Sequence, residues 1–293
     1  MVGLDSFDEF YDRSIKESNL SKARSIERFH LVEGDIREPS VLDALPGGID
    51  CIVHLAARVG VRPSIESPEL YSSVNEGGTW ALLAWAKRRG IKQMVFASSS
   101  SVYGNCPEAP FREDMFVGAP ISPYAATKRA GELACHTHHH LDGLSVVAAR
   151  FFTVYGPRQR PDLAIHKFAR LIRDGMPIPV FGDGSTSRDY TFIDDIVQGI
   201  LKARSFVRDA SDPVFEIVNL GESTTVTLSE MIQVLSEGMG ARADVQALPM
   251  QPGDVSRTYA DITKARTLLK YDPQVDFREG IRKFLAWFDR AHG

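Results

Sequence analysis

The sequence predicts an α/β fold: a doubly wound parallel sheet with helices on both faces, joined to a smaller mixed α/β region. Three observations carry this. Short apolar runs alternate with helical patterns over the first half, the order that a parallel sheet requires. At 293 residues and 43% hydrophobic, the chain can bury a sizeable core without staples. Pro and Gly cluster at 156–161, 175–184 and 249–253, cutting the second half into short pieces whose loops would grip a substrate.

Taken in order, Met1-Val-Gly-Leu-Asp5 reads as the tail of a strand. Phe29-His-Leu-Val-Glu33 is the next strand, followed by a turn at Gly34-Asp35. Cys51-Ile-Val-His-Leu55 is another, bounded upstream by Gly47-Gly48. Residues 69–90 read as a helix closed by Gly90, a normal residue just past a helix end. Gln93-Met-Val-Phe-Ala97 and Ser145 to Phe152 are further strands. Between those two, Ser122 as N-cap and Pro123 at the first helical position open a helix running to about Leu141. This is a Rossmann-like arrangement. In the 69–90 helix, Val74, Trp80, Leu82, Leu83, Ala84 and Trp85 cover most of the circumference. A helix apolar nearly all round is buried on more than one side. One side would meet the sheet and the other a second subunit, so a homodimer through the helices at 69–90 and 123–141 is expected.

A net charge of −4 gives no electrostatic footprint for nucleic acid or acidic lipid. No apolar run approaches the ~20 residues of a membrane helix, and no signal peptide opens the chain. Cys51, Cys106 and Cys135 lack a metal or disulfide spacing and read as buried free thiols of a cytoplasmic protein. His136 and His138-His-His140 have no ligand partner beyond Cys135, so no metal is expected.

The chemistry starts at Tyr124-Ala-Ala-Thr-Lys128. Four residues apart on a helix, the two side chains share a face. A lysine ammonium favours the phenolate, and the positive helix end behind Tyr124 pushes the same way. The spacing alone is common in helices. Its context is not, because the strand ending at Ala97 runs into Ser98-Ser-Ser-Ser-Val-Tyr-Gly104. That places a hydroxyl cluster at the carboxyl edge of a parallel sheet, where open α/β sheets bind ligands.

With these residues in view, the chain resembles the extended short-chain dehydrogenases, the NAD-dependent epimerase/dehydratase group, over essentially its whole length. The resemblance implies Ser99, Tyr124 and Lys128 as the catalytic residues and NAD as cofactor. Asp5 and Ser6 fall where the family meets the adenosine ribose, and Asp35 and Ile36 at its adenine edge. Leu55, Ala56 and Ala57 match the strand end under the cofactor, and Asn75 a position near the nicotinamide. Dehydratases of the group carry Asp-Glu after the catalytic hydroxyl, and UDP-glucuronate decarboxylases Ser-Glu. Here Ser100-Ser101 stands instead, which leaves epimerisation.

Arg150-Phe-Phe-Thr-Val-Tyr-Gly-Pro-Arg-Gln-Arg-Pro161 points to the sugar. UDP-glucose 4-epimerases usually read Arg-Tyr-Phe-Asn there, whereas Thr153 and Arg160 are similar to the uronate 4-epimerases. There they hold the sugar carboxylate with the hydroxyls that correspond to Ser100 and Ser101; an arginine fork matches a carboxylate. Phe181-Gly-Asp-Gly-Ser-Thr-Ser-Arg-Asp-Tyr190 resembles the diphosphate segment, with Arg188 on the diphosphate and Val180 and Phe181 flanking the uracil. Gln251 to Asp254 resembles a loop closing over the nucleotide. The implied substrate is UDP-glucuronate or UDP-galacturonate, with a UDP-glucose 4-epimerase as alternative. A non-catalytic paralogue that binds a sugar nucleotide or dimerises is the reading from another class. The implied division gives 1–152 and 187–220 to NAD, and 153–186 and 221–293 to the sugar nucleotide.

One departure stands out. The family opens with a strand, a Gly-x-x-Gly-x-x-Gly turn and a helix that seat the pyrophosphate, and nothing here corresponds. The expectation is that roughly 30 residues, one strand–turn–helix unit, are lacking, because a GTG valine codon was taken as the start. An in-frame stop just before Met1 would refute that origin. In the 3-2-1-4-5-6 strand order the lacking strand is central, so the sheet is expected to be open there.

Overall fold

The computed structural model describes residues 1–249 and 255–292. Gln251 and Asp254, expected above to close over the nucleotide, lie outside the described residues. In chain order the first half runs β1 (Val2–Asp5), α1 (Arg13–Arg24), β2 (His30–Glu33), α2 (Pro39–Asp43), β3 (Cys51–His54), α3 (Val61–Glu66), α4 (Pro68–Tyr71) and α5 (Gly78–Arg89). Then come β4 (Gln93–Ser99), a 3₁₀ turn at Ser100–Tyr103, α6 (Pro123–Asp142) and β5 (Ser145–Phe151). The second half runs β6 (Thr153–Tyr155), α7 (Ala164–Arg173), β7 (Ile178–Phe181), β8 (Ser187–Arg188), β9 (Tyr190–Phe192), α8 (Ile193–Asp209) and β10 (Phe215–Leu220). It closes with β11 (Val226–Thr227), α9 (Leu228–Met239), β12 (Val245–Leu248), α10 (Thr263–Leu269) and α11 (Phe277–His292).

Among the described residues the main sheet comes in two parts, a parallel pair β1-β2 and a four-stranded sheet in the order β10-β5-β4-β3. The break between β1 and β3 falls where the opened sheet was expected. Parallel registers run from Val2↔His30 to Asp5↔Glu33 and from Cys51↔Gln93 to His54↔Phe96. Met94, Val95, Phe96 and Val146 to Ala149 are all buried, which is why these strands read as unbroken apolar runs.

By compactness the chain forms two units. The first holds Met1–Ala97, Ser122–Ala148 and Val207–Glu216; the second holds Ser98–Ile121, Ala149–Phe206 and Ile217–Gly293. In the first, Ser122 Oγ accepts from Ala125 N at 3.1 Å and Gly143 ends α6 in the left-handed region. Gly131 lets α6 lie close on β4: a Cβ there would stand 2.3 Å from Phe96 Cζ. In the second unit, Tyr155, Ile165, Phe168, Phe192, Phe284 and Phe288 build a core between α7, α9, α11 and the parallel pair β6-β9.

The 69–90 helix departs from expectation. Residues Ser72–Gly77 form a π-helical turn between α4 and α5, a feature frequent at functional sites. Its cause is Asn75, whose amide is drawn to the backbone of Arg58 and the hydroxyl of Thr127. Leu82, Leu83 and Trp85 of α5 are buried, while Trp80 stays 46% exposed. Of the three free cysteines only Cys135 is fully buried; Cys51 and Cys106 are half-buried. No described helix is long and apolar enough to cross a membrane.

Candidate active site

In the first unit, α6 presents Tyr124 and Lys128 one turn apart, close to the carboxyl end of β4. Lys128 is 5% exposed and its Nζ donates to Ala97 O at 2.7 Å. Ala97 precedes Ser98 and Ser99, the last residues of that strand. Nζ stands 5.9 Å from the Tyr124 ring centroid and 5.5 Å from that of Phe96. Burial brings the Lys128 ammonium down to about 8, so it remains mostly charged at neutral pH. The Tyr124 ring is met edge-on by buried Tyr71 at 6.4 Å, and Tyr71 in turn donates to Val59 O at 2.7 Å. Asn75 accepts from Arg58 N at 2.7 Å and donates to Thr127 Oγ1 at 2.9 Å, tying the 58 loop to the turn that carries Lys128.

The expected cofactor residues sit at strand ends. Asp5 closes β1 and accepts from Phe7 N at 2.7 Å; Ser6 beside it is exposed. Asp35 follows β2 and is held low by the Arg37 guanidinium at 2.7 Å. Ile36 is buried, while Leu55 and Ala56, just past β3, are exposed and Ala57 is half-buried. His54, one residue earlier, is buried against Thr79 Oγ1 at 3.0 Å; burial first and then the Lys128 charge lower it to about 3, keeping the ring neutral.

In the second unit Ser99 caps the 3₁₀ turn, accepting from Ser101 N and donating to Ser101 Oγ, each at 3.2 Å. Ser100 and Ser101 are half-buried. Thr153 starts β6, and its N–H donates to Asp189 O at 3.0 Å. Arg160 is already bidentate with Asp162, at 3.0 and 2.8 Å. Arg188 Nη1 donates to Ser187 O at 2.9 Å. Val180 packs into the core, which leaves half-buried Phe181 as the more accessible member of that pair.

With that geometry in place, the family model described as the NAD dependent epimerase/dehydratase family matches residues 10–221. The chain belongs to this family. A UDP-glucuronate 4-epimerase of Thermodesulfobacterium geofontis is 38% identical over 291 residues, covering 98% of this chain and 88% of that protein. A probable UDP-glucuronate 4-epimerase of Rhizobium meliloti is 36% identical, covering 100% of this chain and 92% of that protein. The crystal structure of UDP-glucuronic acid 4-epimerase from Bacillus cereus, in complex with UDP-glucuronic acid and NAD, matches with a TM-score of 0.91. The identity is 33%, over 99% of this chain and 91% of that one.

Within this epimerase fold several residues carry weight that the sequence did not reveal. Arg150, only 1% exposed, donates to Tyr103 OH at 3.0 Å, and Tyr103 OH donates to Asn219 Oδ1 at 2.7 Å. The available signal was an arginine ending the apolar run Val146-Val-Ala-Ala. Asp189 is fully buried and accepts from the N–H groups of Glu222, Ser223 and Ala260 and from Thr191 Oγ1. Tyr71 gave no sequence signal.

Glu222 carries a buried Oε2 with no hydrogen-bond partner. Burial, then the charges of Asp195, Asp189 and Asp276, push its carboxyl up to about 8, so it keeps its proton at neutral pH. Because the folded value lies above the ordinary 4.5, its contribution to stability is whole below about pH 4.5 and lost as pH rises through 8. Glu222→Gln keeps the neutral shape. Between pH 6 and 9 the urea midpoint of the natural chain should therefore fall further than that of the variant, and equal falls would refute the shift.

Proposed function

We propose that this chain is an NAD-dependent UDP-sugar 4-epimerase acting on UDP-glucuronate and UDP-galacturonate. The observation that carries the reading is the buried Lys128 ammonium fixed to Ala97 O, beside Tyr124 and at the strand that ends in Ser99. The family match and the uronate epimerase relatives support it. The residues fit NAD at two ends: Asp5 and Asp35 are carboxylates at strand ends suited to the adenosine, and Lys128 and Asn75 suit the nicotinamide ribose side. When bound, NAD would supply a reversible hydride acceptor for C4 of the sugar.

The chain's own groups handle the proton. Tyr124, as phenolate, removes the proton of the C4 hydroxyl and later gives it back. Lys128 favours the phenolate through its charge and orients the cofactor ribose. Ser99 donates a hydrogen bond to the C4 oxygen. A uronate oxidised at C4 is a β-keto acid that tends to lose CO₂. Thr153, Arg160, Ser100 and Ser101 hold the carboxylate so that the breaking bond is out of line with the ketone. Arg188 and Phe181 serve the diphosphate and the uracil.

The NAD-binding part comprises 1–152 and 187–220, and the sugar-nucleotide part 153–186 and 221–293. A second copy covers the exposed Trp80, Leu133 and Leu141 of α5 and α6, giving a homodimer. Three free cysteines agree with a cytoplasmic location.

The test incubates the chain with NAD and UDP-glucuronate and follows UDP-galacturonate by NMR, with UDP-glucose in parallel and the oligomeric state measured by light scattering. Turnover of UDP-glucose alone would move the assignment to the neutral hexose. Arg160→Ala is expected to raise the KM for the uronate about tenfold or more, as loss of a charged hydrogen bond implies, or to release decarboxylated product. Unchanged kinetics with an unchanged product ratio would remove Arg160 from the site.

A further inference from the structure

Beyond the ends of β6 and β9, in the second unit, lies a groove of about 670 Å³. That volume is in the range of small-molecule sites. Its floor is apolar: Pro157, Phe192, Ile193, Val197 and Ala286 line it, and Val197 is 44% exposed. Its walls carry four cations, Arg158, Arg282, Lys283 and Arg290, against one carboxylate, Asp194. In a chain with a net charge of −4, that is a local reversal of sign.

The cations are not equivalent. Arg282 pairs with Glu279 at 2.6 Å, and Lys283 Nζ lies 3.9 Å from the same carboxylate and 5.1 Å from the Phe192 ring centroid. Arg158 and Arg290 have no hydrogen-bond or ion-pair partner among the described residues. Arg158 is also held in an unusual backbone state. Gln159 N donates to Gly156 O at 3.1 Å, closing a turn whose third residue is Arg158 with φ +66°. A left-handed residue at that place is normally glycine or asparagine. No contact among the described residues accounts for an arginine there, and strain of this kind gathers where a ligand is held.

We propose that this groove binds a small organic phosphate, with an apolar or planar body on the floor and the phosphate between Arg158 and Arg290. An arginine fork suits phosphate oxygens, and Lys283 over Phe192 adds charge beside an aromatic face. None of the groove's residues belongs to the NAD or UDP-sugar sites proposed above. The site therefore stands or falls independently of the epimerase reading.

The probe is 1-naphthyl phosphate, titrated against the whole chain by fluorescence, with 1-naphthol and inorganic phosphate in parallel. One-to-one binding is expected, tighter than that of either half-probe and weaker with added salt. Arg158→Gly and Arg290→Ala should each weaken it at least tenfold, while Arg188→Ala leaves it unchanged. Arg158→Gly should also raise Tm by about 2 °C, since glycine adopts the turn without strain. Gained stability with lost binding marks an arginine kept for a ligand and not for the fold. The proposal is overturned if the phosphate does not bind, if 1-naphthol binds as well, or if both groove variants retain full affinity. It also fails if Arg188→Ala is the substitution that abolishes binding.

Discussion

Tyr124→Phe is expected to lower the rate of 4-epimerisation about 10²–10⁴-fold, the usual worth of a positioned acid–base group, while leaving the protein folded. The substitution removes one oxygen. The ring keeps its edge-on contact with Tyr71, and Lys128 keeps its bond to Ala97 O. What is lost is the hydroxyl proposed to take the C4 proton, with the neighbouring ammonium supporting its negative charge. Because burial brings that ammonium down to about 8, the natural chain should lose rate as pH rises above about 8 and Lys128 gives up its charge. The residual rate of the phenylalanine variant should not show that limb. The measurement is kcat for UDP-glucuronate from pH 6 to 9.5 for both proteins. A variant keeping more than a tenth of the rate would remove Tyr124 from the proton transfer.

The sequence was most legible where burial is most complete. β4 and β5 are buried strands, so their apolar runs mark them within one or two residues; β3 is marked as closely although its Val53 is exposed. The start of α6 is written chemically in Ser122-Pro123. The π-helical turn was not legible, because it is set by Asn75 reaching residues 17 and 52 positions away. In the second half, β8 and β11 have two residues each, too short for any periodicity, and their partners are distant in the chain. The pairing of Tyr124 with Lys128, proposed above as the reacting residues, was legible because both lie on one helix. Arg160 was legible as a residue, yet its pairing with Asp162 was missed, since a carboxylate two residues along a loop looks like ordinary surface charge. Asp189 was missed for a different reason: within Ser-Arg-Asp-Tyr it reads as a polar turn residue, and only the fold brings it its donors.

Asp189→Ala should destabilise the chain by about 3–5 kcal/mol, the cost of stranding partners of a buried charge. The carboxylate Oδ1 takes Glu222 N at 2.8 Å and Thr191 Oγ1 at 3.2 Å, and Oδ2 takes Ser223 N and Ala260 N, both at 3.0 Å. Gly221 leaves room for this, since a Cβ there would stand 2.5 Å from Ala260 Cβ and 3.1 Å from Oδ2. Asparagine should not rescue it, because its NH₂ would face two of the N–H or hydroxyl donors with nothing to accept. Burial nonetheless outweighs these bonds and raises Asp189 to about 6. Its folded value exceeds the ordinary 3.8, so the natural chain loses this part of its stability as pH rises from about 4 through 6. Urea titrations at pH 5 and pH 7 should therefore show a steeper fall in the natural chain than in the alanine variant, which keeps the slope that Glu222 contributes. The functional consequence follows from what Asp189 ties together. Its backbone oxygen holds Thr153, its neighbour is Arg188, and its side chain fixes the 221–223 turn and Ala260. In whatever fraction remains folded, KM for the sugar nucleotide should rise more than kcat falls, because the residues displaced are those proposed to hold the substrate and not those proposed to move its proton. A fall confined to kcat would show instead that Asp189 acts on the chemical step.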